Sequence, residues 1–216
     1  MSGKILNITP ISGEFPEIHF GDHFTSRLWI EFEDNDFEKW YGCFPKDSRQ
    51  GFNIVLVDKN YNSAFVVSSG VGYLINIATK ELIFKTEEHP LIESAILTEN
   101  PDYFIVGTFY SVYVIDLKTL IKEVTPDFMV DGIYFKTQQD KKAIGDLATA
   151  ENQYDYNVDF EFDLESFELT MNQKFQRKRF GAFETVKVVD KNYKHSPNLI
   201  QRLLHKFGIK SIATND

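Results

Sequence analysis

The sequence has few of the residues and segments that would place it in a known chemical class. The 216-residue chain contains a single cysteine, Cys43, which excludes an internal disulfide and any cysteine-rich metal cluster. We therefore expect a protein of a reducing compartment, the cytoplasm. Residues 1–7 have no long apolar stretch, so we expect no secretory leader. The longest run without a charged residue, 60–79, contains several asparagines and serines and is too polar for a membrane span.

Sequence motifs for catalysis are also missing. The chain has no glycine-rich phosphate loop, no nucleophile elbow, no zinc-protease helix and no kinase motif set. This lack disfavours an enzyme without excluding one. We predict no cofactor and no bound metal.

Positive charge is scarce over most of the chain. There are 23 Lys and Arg against 32 Asp and Glu, a net charge of −9. Residues 1–170 carry 13 basic and 29 acidic side chains, a net of −16, whereas residues 171–216 carry 10 and 3, a net of +7. An acidic body is thus followed by a basic tail, and we expect the tail to lie along that body.

Strand patterns dominate what the sequence does contain. In 157–164, Val158, Phe160, Phe162 and Leu164 alternate with acidic residues, which is typical of a half-buried strand. Residues 27–33 alternate in the same way. Five more apolar runs predict strands with greater burial: 52–57, 64–68, 73–77, 103–108 and 111–117.

A turn motif recurs along the chain. An apolar strand is followed by Asp or Asn, then by Leu or Ile, any residue, and Thr or Ser. The motif begins at Asn76, Asp116 and Asp163. A side-chain oxygen at the first position accepts hydrogen bonds from the turn backbone, and we expect the Thr or Ser hydroxyl to bond another turn amide. The spacing predicts units of four antiparallel strands over 51–90, 91–130 and 131–175, with 13–50 as a degenerate first unit.

These residues carry a family resemblance. The segment 111–119, Ser-Val-Tyr-Val-Ile-Asp-Leu-Lys-Thr, resembles the blade strand of bacterial β-propellers of the YVTN and PQQ type. Those families usually have Gly directly after the Thr, where this chain has Lys80, Leu120 and Phe167. The resemblance covers about 125 residues. It implies an all-β fold of blade-like four-stranded antiparallel repeats, as a small or open propeller-like structure, and no particular activity.

The end of the chain differs from the repeats. Ser196 and Pro197 predict a helix start, Leu199 to Phe207 have helical apolar spacing, and Gly208 predicts the stop. Such a short amphipathic helix needs a surface to dock on. We therefore predict an all-β repeat domain over 1–190, with a C-terminal helix and tail over 191–216 docked on it.

The candidate binding site combines an acidic strand face with a loop insertion. The third unit is nine residues longer than the second around 148–156, and insertions in one repeat often form a binding face. Tyrosines there would supply contact area and carboxylates would supply charge. The predicted binding residues are Glu151, Tyr154, Asp155, Tyr156, Asp159, Glu161 and Asp163.

Two other features have simpler interpretations. His19 and His23, with Asp22 and Glu17, could supply metal ligands, but no third histidine is near them and a polar turn is the simpler prediction. Cys43 lies in an apolar strand and is predicted to be a buried, inert thiol.

Three functional hypotheses follow. The leading one is a non-enzymatic cytosolic binding module for a protein with a basic surface, for example an immunity protein against a basic toxin. The second is a carbohydrate- or ester-active hydrolase with a carboxylate pair drawn from Asp146, Asp159 and Asp163. The third is a scaffold that self-associates, with a homodimer through the C-terminal tail. The acidic body disfavours nucleic acid, and no membrane partner is expected.

Overall fold

The computed structural model describes residues 1–21, 26–47, 51–87, 89–99, 103–116, 120–126, 130–149, 158–171, 175–179 and 182–188. All regular secondary structure in these residues is β-strand. The strands form four four-stranded sheets and one two-stranded sheet. The prediction of an all-β chain built from repeated four-stranded sheets is confirmed.

The first sheet, sheet I, is built differently from the others. Its strands are β1 (Ser2–Ile5), β2 (Glu17–His19), β3 (Arg27–Glu33) and β4 (Lys39–Pro45). Their order is β1-β3-β4-β2, and β2 runs parallel to β4. The sheet therefore starts at residue 2 and not at 13, because the N-terminal strand pairs with β3.

Sheets II, III and IV are antiparallel meanders. Sheet II contains β5 (Ile54–Asp58), β6 (Ser63–Ser68), β7 (Val71–Asn76) and β8 (Glu81–Lys85). Sheet III contains β9 (Ile92–Leu97), β10 (Phe104–Thr108), β11 (Val112–Ile115) and β12 (Leu120–Val124). Sheet IV contains β13 (Val130–Gln139), β14 (Lys142–Thr149), β15 (Val158–Asp163) and β16 (Leu169–Met171). Each has its strands in chain order, which matches the three predicted units.

Consecutive sheets pack face to face through three apolar clusters. The first lies between sheets I and II and includes Trp40. The second joins Phe65 of sheet II to Phe104 of sheet III, whose rings stack at 5.5 Å. The third lies between sheets III and IV. Burial of each large apolar side chain contributes about 1.5–3 kcal/mol, so these clusters stabilise the packing of each sheet on the next.

Position in the stack explains the two kinds of strand pattern. The central strands β6 and β10 are buried along their whole length because sheets II and III are covered on both faces. Strands β3 and β15 alternate between buried and half-buried residues because sheets I and IV each have one outward face. Leu28, Ile30 and Phe32 point inward, as predicted.

The repeated turn uses its first residue as predicted. Asn76 Oδ1 accepts hydrogen bonds from the backbone N–H groups of Ala78 and Thr79, both at 2.9 Å. Asp163 Oδ1 does the same for Glu165 and Ser166, at 2.9 and 2.8 Å. In these two turns the hydroxyl prediction was wrong, because Thr79 donates to the Glu81 carboxylate and Ser166 donates to Asp163 itself. The third turn, which follows Asp116, lies outside the described residues.

Chain beyond sheet IV forms a two-stranded sheet, β17 (Phe175–Arg179) and β18 (Ala182–Val188). The predicted helix over 196–208 and the whole of the predicted docked tail over 191–216 lie outside the described residues.

Candidate functional site

The predicted acidic row lies on the outward face of sheet IV. Asp159, Glu161 and Asp163 alternate along β15 with the buried Val158, Phe160 and Phe162. Side chains two residues apart on one strand face are about 7 Å apart. The row is therefore held on a rigid central strand, with β14 on one side and β16 on the other.

Two carboxylates of this row have partners of their own. Glu161 Oε2 lies 2.5 Å from Lys142 Nζ on the neighbouring strand. Asp163 caps the turn that follows β15, and the backbone N–H groups of that turn hold its pKa below the usual 3.8. A carboxyl with a lowered pKa is unsuited to act as a general acid near neutral pH.

Asp146 and Asp159 face each other across β14 and β15, where their Cα atoms are register partners. Lys136 Nζ lies 2.6 Å from Asp146 Oδ2. The bond to Asp146, with a further contribution from the charge of Asp159, raises the pKa of Lys136. The lysine therefore remains charged at neutral pH and compensates part of this acidic face.

A second candidate site is a groove that sequence reasoning missed. It has a volume of about 1150 Å³ and is lined by residues of β5, β9 and β13 and by the turn after β13. These three strands are edge strands of sheets II, III and IV, and β9 contacts both of the others. We call this space the inner groove.

One wall of the inner groove is apolar and the others are polar. The apolar wall consists of alternate residues of one extended segment: Ile54 and Leu56 of β5, and Phe52 just before it. Strand β9 contributes Glu93 and Leu97, and the residues after it include Glu99. Strand β13 contributes Tyr134, Lys136 and Gln138. The groove thus presents an apolar strip beside hydrogen-bonding groups.

Two charged residues that line the groove, Glu93 and Lys136, lie at strand irregularities. On β9, Ser94 pairs with Gly107 and Ile92 pairs with Thr108, so Glu93 is the extra residue of a β-bulge. On β13, Lys136 is likewise skipped by the register with β14. A bulge redirects the side chain of its extra residue, and bulges are common beside functional sites. A pattern of strict alternation in sequence cannot reveal them.

Glu93 is the least compensated of these charged groups. It is half-buried, and burial raises its pKa. Among the described residues its carboxylate has no hydrogen-bond or ion-pair partner. Burial, followed by the charges of Glu93 and Asp131, raises the pKa of Tyr134, so Tyr134 stays a neutral hydroxyl at physiological pH.

Side chains connect β9 to β13 at both ends of the groove. Ser94 Oγ donates to the Ile133 carbonyl at 2.8 Å and accepts from the Phe135 N–H at 2.9 Å. Gln138 accepts from the Glu99 N–H and donates to the Glu99 carbonyl, at 2.6 and 2.8 Å. These bonds satisfy backbone groups at the edges of both strands and fix the width of the groove.

Other predicted residues lie elsewhere. His19 Nδ1 is 2.9 Å from Arg27 Nη1, and its ring meets Trp29 edge to face. Cys43 is buried as predicted, and burial raises the pKa of its thiol. Glu151, Tyr154, Asp155 and Tyr156, together with Asp22 and His23, lie outside the described residues.

Within the described ranges, no three or more His, Cys, Asp or Glu side chains are grouped so that they could hold a metal ion. The same part of the chain has no helix with the length and apolarity needed to cross a bilayer. A scan against protein-family models finds no family that matches this chain, and a search of curated proteins finds no significant relative.

Proposed function

We propose that this protein is a non-enzymatic binding module for a protein partner with a basic surface. The observation that carries the proposal is the outward face of sheet IV, where four carboxylates on the paired strands β14 and β15 (Asp146, Asp159, Glu161 and Asp163) outnumber the two lysines that contact them. The body that bears this face has a net charge of −16 over residues 1–170. Complementary charge of this kind accelerates association with a basic surface.

The geometry of these carboxylates favours binding over hydrolysis. A glycosidase-type pair needs one protonated acid beside one ionised carboxylate. In this face Glu161 and Asp146 each contact a lysine, and Asp163 is engaged by its turn. A module of this type that neutralises a basic toxin is the concrete form of the proposal, with the 148–156 insertion as an additional contact.

We also propose that the four sheets are blades of an open propeller-like arrangement. In support of this, the edge strands β1, β5, β9 and β13 lie side by side in succession. Each pair of neighbouring sheets shares one apolar cluster. The outward faces of sheets I and IV carry charged residues, such as Glu31 and Glu161, which suits a stack whose ends do not close on each other.

The test is capture of a partner from the native lysate by the full chain and by the double variant Asp159→Asn with Glu161→Gln. The matched control is Glu81→Gln with Glu123→Gln, which changes the total charge equally on exposed residues of β8 and β12. We expect one basic protein to be retained by the wild type and the control, released by added salt and lost with the face variant. Equal retention by both variants, or binding that is insensitive to salt, would contradict the proposal.

A further inference from the structure

The inner groove has the dimensions of a site for a chain segment. Its volume of about 1150 Å³ exceeds the range of about 300–1,000 Å³ that is common for small-molecule pockets. It runs along β9 from Glu93 to Glu99, a distance of about 20 Å for six residues of extended strand. An extended peptide of six to eight residues is the ligand shape that fits such a groove.

The edge of β5 supplies the backbone partner for such a segment. Strand β5 is an edge strand: one of its edges pairs with β6, and in the described part of the chain no strand pairs with the other edge. The facing edge groups of β9 and β13 are partly used, since Ser94 and Gln138 bond them. An unpaired edge beside a groove is the arrangement in which an added strand is recognised through its main chain.

The side chains of the groove define what the added strand would carry. Phe52, Ile54 and Leu56 form the apolar strip at the spacing of alternate residues. Both lysines of the groove have acidic partners, Asp146 for Lys136 and Glu165 for Lys141. Glu93 has none among the described residues. The uncompensated charge in the groove is therefore negative, and a half-buried carboxylate is stabilised by a cationic hydrogen-bond donor.

We propose that the inner groove binds an extended segment of a partner protein, which pairs with the free edge of β5 and places a lysine or arginine at Glu93. Alternate apolar side chains of the segment lie on the Phe52–Ile54–Leu56 strip. Within the described residues, β17 and β18 already pair with each other, and we assign the added strand to another molecule. This site and the acidic face of sheet IV have Lys136 in common, but Glu93 and the β5 edge belong to the groove alone, so the two proposals are tested by different variants.

The test uses a fluorescein-labelled octapeptide of alternating valine and lysine, followed by fluorescence anisotropy with the full chain. The variant is Glu93→Gln, which removes the charge and keeps the shape, and the matched control is Glu123→Gln on exposed β12. Because a charged hydrogen bond is lost, we expect the Kd to rise about tenfold or more for Glu93→Gln, and to change by less than about twofold for the control. Thermal unfolding of both variants checks that the fold is retained.

Backbone pairing is tested by the same peptide with N-methyl groups on alternate residues, which cannot add to a strand edge. We expect it to bind at least about tenfold more weakly. Absence of saturable binding to the wild type, equal affinity of the two glutamine variants, or equal affinity of the N-methylated peptide would each overturn the proposal.

A competition experiment tests the source of the added strand. Displacement of the probe by a peptide of residues 182–188 would assign the groove to the chain's own C-terminal segment and overturn the partner assignment. Changes at Asp159 and Glu161 should leave this binding unaffected, so it is distinguishable from the face of sheet IV.

Discussion

At the first position of the repeated turn, the residue type is determined by the hydrogen bonds that its side chain makes to the turn backbone. Asn76 and Asp163 make the same two backbone contacts although one is neutral and the other is charged. The position therefore needs an acceptor oxygen and does not need a charge. This equivalence supports a structural role for Asp163 within the acidic row.

The charge of Asp163 has a consequence for stability at low pH. Its pKa is lowered in the folded state, so it contributes stability above its unfolded pKa, and that contribution is lost as pH falls through the folded value. We expect Asp163→Asn to retain the turn bonds but to lose less unfolding free energy than the wild type between about pH 6 and about pH 3. Urea unfolding at the two pH values measures the difference. Identical losses in both proteins would show that Asp163 does not contribute in this way.

The residue that follows each turn adopts a conformation that favours glycine. Lys80 has φ of 62° and Phe167 has φ of 56°, so both lie in the left-handed region. A non-glycine residue in this left-handed region costs about 1 kcal/mol. We expect Lys80→Gly to raise the free energy of unfolding by about 0.5–1 kcal/mol in urea titration. Lys80→Ala is the control and should give no gain, and an equal gain from alanine would show that the lysine side chain and not its φ is the cause.

At the scale of elements, the sequence predicts strands well and their irregularities poorly. Alternation of apolar and polar residues predicts β3 and β15, and unbroken apolar runs predict β6 and β10. Both predictions work because a strand face that is buried needs apolar residues and an exposed face does not. The β-bulge at Glu93 depends on register with β10, a non-local property. The inner groove was missed for the same reason, since its walls come from three separate sheets.

Ser94 is expected to be a main connection between β9 and β13. Its buried hydroxyl bonds both Ile133 and Phe135, and its loss leaves two backbone groups unpaired. We expect Ser94→Ala to lower the free energy of unfolding by about 2 kcal/mol. The matched control is Ser63→Ala, which removes a buried hydroxyl that has no hydrogen-bond partner within the described residues. Urea titration of both variants checks this, and similar costs for the two would contradict the role of Ser94.

At the scale of the whole molecule, the apolar clusters of the described residues lie in the four sheets that precede the basic tail. Among the side chains that the structure describes, the last member of these clusters is Leu169. In a stack of this kind each sheet is stabilised by its direct neighbours, so we expect the clusters to remain intact when a segment outside the four sheets is removed. The charge pattern in the sequence predicts a division between body and tail, and charge alone carries no information on which residues form the apolar clusters.

A chain shortened to residues 1–171 tests this division and the open arrangement together. If the stack ends at sheet IV, the shortened chain should unfold cooperatively, with a Tm within about 5 °C of the full chain when followed by circular dichroism. If β17 and β18 instead close a ring by bridging sheet IV to sheet I, their removal should uncover apolar surface on both sheets and abolish the cooperative transition.

The shortened chain also lacks the +7 charge of the tail, because residue 171, which it keeps, is an uncharged methionine. Measurement of both chains at low and high salt therefore separates an effect of charge on Tm from an effect of packing. A Tm difference that disappears in high salt reflects charge contacts between tail and body, whereas one that persists reflects packing.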